Sequence, residues 1–362
     1  MLRTDWHARR WKKLAFLSLF LAACGSESRS GTTTATGGNV SGGGATSGSS
    51  GSSSASGGAT AGTSTVGNAG RDASNGGADA GSPGDLSGEG GGGGAPDEHG
   101  IPDDATVVMF LIDGLQTATV QTGVANGADN IKFLIDNGVT AETVYTTSPA
   151  ARAQLPNGML PWDNATSGNV AFHTGCHLFE SNQMDDIFLA AKKAGIKSVF
   201  AGGDANYGVF TTADFDYSGN LPDAEVVQDA IDRLTSDHVR LIRLHLQRIR
   251  DFWEGPASET TATSPYIQHL VEVDGLLGKL RQALEQQGVW NHTYVILSSD
   301  HGMGQSASSE HPPSTLSSWK NVMYFYGPGV KKGATIPYAE SPDAAILAAH
   351  LLKLSPLQGH TD

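Results

Sequence analysis

The sequence predicts an α/β fold in which a mostly parallel sheet is sandwiched by helices. Three observations predict it. From about residue 100 onward, short apolar runs of strand length alternate with longer stretches whose apolar residues recur every three to four positions. Two of the apolar runs, Val107 to Ile112 and Thr293 to Leu297, lead into Asp113-Gly114 and Asp300-His301-Gly302-Met303. Parallel sheets collect functional groups at the C-terminal ends of their strands, so acidic groups delivered this way outline a shared metal site. The remaining length, from about Gly100 to Asp362, suits one large α/β domain.

The elements follow in order. Val107 to Ile112 reads as a buried strand, and Ala128 to Asn137 as a helix closed by Gly138. Val139 to Tyr145 reads as a strand. Met184 to Ala194 is a helix ended by Gly195, and Lys197 to Ala201 returns to strand. Glu225 to Leu234 is helical and Val239 to Leu246 is a strand. Pro265 to Gln287 is a long amphipathic helix, with Leu270, Val273, Leu277, Leu280 and Leu284 on one face. Thr293 to Leu297 and Val322 to Tyr326 are strands, and Ser341 to Leu354 is the last helix.

The first 99 residues read differently. Arg9, Arg10, Lys12 and Lys13 precede a short apolar region, Leu14 to Ala23, below the roughly 20 residues a membrane span needs. Leu21-Ala22-Ala23-Cys24 resembles a bacterial lipobox, which implies a signal peptide over 1–23 and lipid on Cys24. Residues 24–99 are rich in Gly, Ser, Thr and Ala and are expected to form a disordered tether, because such a composition cannot offset its ordering entropy by burial. The expected location is the bacterial cell envelope, on its periplasmic or extracellular face. The formal net charge of −14 argues against a nucleic-acid-binding surface. It leaves a small phosphate ester open as substrate, since bound metal reverses the local charge. With Cys24 lipidated, Cys176 stands alone and no intramolecular disulfide is expected.

The folded part resembles the alkaline phosphatase superfamily, and most closely its type I phosphodiesterase/nucleotide pyrophosphatase branch. Four segments carry the resemblance, in family order. They are Phe110-Leu111-Ile112-Asp113-Gly114-Leu115, then Thr174-Gly175, then Ser298-Ser299-Asp300-His301-Gly302-Met303, and finally the Gly327-Pro328-Gly329 turn. The resemblance implies divalent metal, commonly zinc with manganese as an alternative, as one or two ions about 4 Å apart. Asp113, Asp300 and His301 match the ligands of one ion, and His360 matches a late ligand of the other.

The chain departs from the family at the second ion. The family supplies Asp-x-x-x-His before a Gly-Pro. Counting back from Gly255-Pro256 puts Arg248 and Phe252 at those places, and neither holds a metal; Asp251, Glu254 or His245 are the alternatives for a shifted site, which the spacing does not demand. Arg248 is instead expected to bind substrate phosphate through paired hydrogen bonds. The family's nucleophile is a Thr or Ser at the start of the helix that ends in Thr-Gly. That spacing falls on Ala165, beside Thr166 and Ser167, whereas an anchor at Leu155-Pro156-Asn157 would place Gln154 there. Thr166 is the preferred nucleophile and Ser167 the second choice. Gly168 is expected to admit a phosphate closely, with Asn169 as a substrate contact. Simple helix capping would explain the same residues. His173 and His177 share a helix face but are left out of the metal set, and His311 is expected to line the substrate entrance.

These residues point to a lipid-anchored phosphoric ester hydrolase with an altered second metal site. A catalytically silent binding protein is the alternative of a different class, and sulfate ester hydrolysis or phosphomutase transfer the alternative within the superfamily.

Overall fold

The computed structural model describes residues 100–147, 164–176, 186–203, 212–306 and 310–357. The expected signal peptide, Cys24, the tether, Gln154, His177 and His360 lie outside the described residues.

The strands are β1 (Thr106–Ile112), β2 (Val139–Ala141), β3 (Val144–Tyr145), β4 (Ser198–Gly202), β5 (Phe215–Ser218), β6 (Leu241–Leu246), β7 (Thr293–Ser298), β8 (Lys320–Asn321), β9 (Met323–Tyr326), β10 (Ala334–Ile336) and β11 (Ala339–Glu340). The helices are α1 (Thr117–Ala125), α2 (Asp129–Asn137), α3 (Asn164–Thr174), α4 (Ile187–Lys193), α5 (Asp223–Asp237), the single turn α6 (Ala257–Thr260), α7 (Pro265–Gln286) and α8 (Ser341–Leu351).

Eight strands form one sheet in the order β10-β2-β9-β7-β1-β6-β4-β5. The run β7-β1-β6-β4-β5 is parallel throughout, and β9 is antiparallel to both β7 and β2. The mostly parallel sheet expected from the alternating pattern is therefore present. β1 shows why its sequence is apolar at every position. Val108, Phe110 and Ile112 enter one core, while Val107, Met109 and Leu111 enter the other, because alternate side chains face opposite sides.

α7 takes the face read from its leucines: Leu270, Val273, Leu277, Leu280 and Leu284 are all buried. Ser264 caps it, accepting the Ile267 N–H at 3.2 Å, and Pro265 occupies the first turn, where no N–H is needed.

The expected strand from Val139 to Tyr145 is two strands in two sheets. β2 belongs to the large sheet and β3 to a second, three-stranded sheet of order β11-β3-β8. The chain bends at exposed Glu142 and half-buried Thr143, whose backbone bonds to Ile336 and Ala339 instead of continuing one ladder. α1 went unread because Thr117–Ala125 lacks a leucine stripe; its Gly123 packs directly beneath Leu270.

Candidate metal centre

β6, β1 and β7 are parallel neighbours, and their register sets Leu111 beside both His245 and Ser298. Residues that end or follow these strands must therefore meet at one edge of the sheet. Asp113 follows β1, His245 lies near the end of β6, and Asp300 and His301 follow β7. One ligand atom from each of Asp113, Asp300 and His301 lies within 4.8 Å of the others, and all three residues are buried.

The two turns that carry these side chains are held firmly. Asp300 Oδ1 accepts the N–H groups of Gly114 (3.2 Å) and His301 (3.0 Å), and its Oδ2 accepts from Asn169 Nδ2 at 2.9 Å. Ser299 Oγ accepts the Leu115 N–H at 2.8 Å and donates to the His301 carbonyl at 2.6 Å, tying the β1 turn to the β7 turn. Thr146 Oγ1 donates to the Asp300 carbonyl, and Tyr266 Oη donates to the Gly114 carbonyl. Gly114 itself has φ +71°, and a Cβ there would meet Met303 Sδ at 2.5 Å, so the turn requires glycine.

His301 Nδ1 lies 2.9 Å from the Gly302 carbonyl. A carbonyl only accepts, so Nδ1 carries the hydrogen and Nε2 is directed at the cluster. Asp113 Oδ1 lies 3.2 Å from that Nε2, yet both atoms are buried without a hydrogen bond of proper geometry. A carboxylate oxygen and an imidazole nitrogen in this state suit a divalent ion, and a second carboxylate from Asp300 completes a nitrogen–oxygen donor set that zinc or manganese accepts.

Asp113 divides its two oxygens. Oδ1 faces His301, while Oδ2 accepts from Arg250 Nη1 at 3.2 Å. His245 Nε2 stands 3.7 Å from Asp113 Oδ2 and 3.8 Å from Asp300 Oδ2. The His311 ring tilts over His301 with centroids 4.2 Å apart, and Glu310 reaches Arg250 Nε at 3.7 Å.

The electrostatics separate the three histidines. Burial pulls the His301 pKa down, but the carboxylates of Asp300 and Asp113 outweigh it and lift the value to about 9. Burial takes His245 down to about 3, opposed by Asp300 and reinforced by Arg243, Arg250 and His301, so His245 is neutral at pH 7. His311 is lowered by burial and then by His301. Burial also raises the Asp113 carboxyl, but His301, Arg250 and His311 together hold it below the usual carboxylate value.

A pH dependence of metal uptake follows. Below about pH 9 His301 holds a proton that an incoming ion must displace. Affinity should therefore rise about tenfold per pH unit toward pH 9 and then level off, with about one proton released per ion. Calorimetric titration with zinc in buffers of differing ionisation enthalpy checks this; a flat profile between pH 6 and 8 would contradict a proton on His301 that the ion displaces.

The sequence-predicted residues fall in several places. Thr166 is half-buried and Ser167 buried in the first turn of α3. Asn169 is not a substrate contact. It is fully buried, donating to Asp300 Oδ2 and accepting from Arg243 Nη2 at 2.8 Å, so it orients the Asp300 carboxylate from behind. Gly168 does not leave space for a phosphate. A Cβ there would sit 1.9 Å from the Asp300 carbonyl oxygen, so the glycine lets α3 lie against the Asp300 backbone. An open helical Gly→Ala change stabilises by roughly 0.4–1 kcal/mol. Gly168→Ala should do the opposite and cost about 2–3 kcal/mol through overpacking, read from the denaturant midpoint.

Arg248 is not brought to the cluster. It pairs with Asp251 at 3.5 Å and lines a surface cavity of about 430 Å³ with Asp223, His269, Glu272 and Lys279. Arg248–Phe252 forms a 3₁₀ turn, which rotates about 120° per residue. Residues 248 and 250 thus point to different sides, and Arg250 is the one on Asp113. Sequence reasoning missed Arg250 because it counted from Gly255-Pro256 by the family spacing. His245, which the sequence offered only as an alternative for a shifted second-ion site, satisfies the same strand-end rule that selected Asp113.

Murine ectonucleotide pyrophosphatase / phosphodiesterase 5 (ENPP5, NPP5) matches with a TM-score of 0.54 and 14% identity, covering 71% of this chain and 97% of that one. Phosphonate monoester hydrolase of Agrobacterium radiobacter matches at 0.51 and 15% identity, over 70% of this chain and 74% of that one. The lipoteichoic acid synthase LtaP from Listeria monocytogenes matches at 0.50 and 14% identity, over 70% and 72%. The fold is alkaline phosphatase-like.

Residues 183–326 match the family model described as Type I phosphodiesterase / nucleotide pyrophosphatase. That stretch contains His245, Arg250, Asp300 and His301, while Asp113 and α3 precede it. No curated protein matches the chain.

Proposed function

We propose that this protein is a phosphoric ester hydrolase that uses one divalent ion on Asp113, Asp300 and His301, with Arg250 in place of a second ion. The buried Asp113–Asp300–His301 cluster at the strand ends carries the reading. When bound, the ion supplies Lewis-acid polarisation and eases loss of a hydroxyl proton. The protein's own groups do the rest. Asn169, linked to Arg243, fixes the Asp300 carboxylate, and the Gly302 carbonyl fixes the His301 ring. Arg250 is one-fifth exposed and can hold Asp113 and a phosphoryl oxygen with different edges of its planar guanidinium.

Thr166 is the proposed nucleophile, with Ser167 as the alternate, at a helix N-terminus whose dipole favours a developing anion. Gly168 brings this turn against Asp300, which supports placing a hydroxyl near the ion. The substrate class is a small phosphate ester; an inactive form of murine ENPP5 is known in complex with AMP. We also propose a cell-envelope location, with lipid on Cys24 and the tether holding the domain off the membrane.

The test is turnover of p-nitrophenyl phosphate, the bis-p-nitrophenyl diester and p-nitrophenyl sulfate, with Thr166→Ala and Ser167→Ala beside the wild type. The expected result is phosphate ester cleavage that falls by at least about 10³-fold in one of the two variants. Cleavage unchanged in both would move the nucleophile elsewhere. One observation favours the silent binding protein: Phe252, at the place of the family's second-ion histidine, is 36% exposed and packs on His269. No turnover of any ester by zinc-loaded protein would support that second reading.

A further inference from the structure

The Arg250 turn is gripped from outside the metal centre by two residues that no catalytic role has yet used. Asp223 is the first residue of α5 and is almost fully buried. Its Oδ1 accepts the backbone N–H groups of Gln247 (3.2 Å) and Arg248 (3.4 Å), which open the turn after β6. Its Oδ2 lies 3.1 Å from His269 Nε2 on α7, and His269 Nδ1 lies 2.9 Å from Glu272 Oε2. The His269 ring then packs on Phe252 at the far end of the turn, with centroids 5.0 Å apart.

One acid–imidazole pair therefore holds both ends of the five-residue segment whose middle residue is Arg250. Inside it, the Arg250 N–H bonds to the Gln247 carbonyl at 3.2 Å, and the Trp253 N–H to the Arg250 carbonyl at 3.0 Å. Trp253 meets Tyr266 edge-on at 5.4 Å, and Tyr266 in turn holds the Gly114 carbonyl. The backbone on either side of the Arg250–Asp113 contact is thus fixed before any ligand arrives. Fixing it in advance matters because a long arginine side chain on a loose turn loses rotamer and backbone freedom each time it engages.

We infer that Asp223 and His269 are positioning residues that keep the Arg250 guanidinium on Asp113. The inference rests on the proposal that the cluster takes a divalent ion. A purely structural role is the competing explanation, since an acid at the first turn of α5 also favours the helix dipole. The two differ in sign at the metal. A guanidinium held against Asp113 opposes a cation, so releasing it tightens metal binding, whereas general loosening of the site weakens it.

The experiment is zinc titration calorimetry on the full-length protein and on Asp223→Ala, Arg250→Met and the double variant. Arg250→Met should tighten zinc on the order of tenfold. Asp223→Ala should shift it in the same direction, and the double variant should match Arg250→Met alone, because both changes remove one contact. His269→Ala, which leaves the helix start intact, should repeat the Asp223→Ala shift and serves if that variant does not fold. Zinc bound as in the wild type, or more weakly, by Asp223→Ala and His269→Ala overturns the inference. So does a double variant in which the effects add. Wild-type protein that takes up no zinc would instead refute the metal centre itself, and the inference with it.

Discussion

Asp300→Asn is expected to lower zinc affinity by at least about 100-fold, beyond the 10–100-fold typical of losing a group that only supports a ligand. The side chain keeps its shape but loses its charge in a buried site where a dication must be balanced. It also places an amide where Asp300 now accepts from Gly114, His301 and Asn169, so at least one of those donors loses its acceptor. Ester turnover should fall in parallel, to the level of chelator-treated protein. Calorimetry and the ester assay on one preparation check both, and full zinc affinity in this variant would take Asp300 out of the ligand set.

Arg250→Met should separate the two properties that Asp300→Asn lowers together. Zinc should bind more tightly, as argued above, while turnover falls by about 10²–10³-fold, the size of effect seen when one preorganised donor to a transition-state anion is removed. Arg250→Lys should recover only part of the loss, since an ammonium lacks the planar fork that can hold Asp113 and a phosphoryl oxygen together. Arg248→Met should leave turnover within about twofold, because an exposed pair with Asp251 contributes little. The larger loss appearing at Arg248 would return the substrate cation to the position that family spacing suggests.

The parts of the fold that were legible in the sequence are those governed by burial on both faces. β1 and β7 are apolar at nearly every position because neither face meets water, and the α7 leucines repeat because one face does not. The small sheet of β3, β8 and β11 was not legible, since its strands are two residues long and carry no period. In the centre, the meeting of Asp113, Asp300 and His301 was legible because each follows a recognisable strand. Arg250 was not, because its direction is set by a 3₁₀ turn, and a turn's phase depends on contacts from Asp223 and His269 far along the chain. The roles of Gly168 and Asn169 were misread for a related reason. Both suit a phosphate-binding helix start, and only the packing of α3 against Asp300 shows that their space and hydrogen bonds are already used.

The most direct measurement is the count of metal ions per chain in purified, zinc-saturated protein, by elemental analysis, with ester turnover recorded on the same sample. One ion per chain, lost in Asp300→Asn together with turnover, is the result expected of a single-ion hydrolase assisted by Arg250. Two tightly held ions would contradict that account, and so would none.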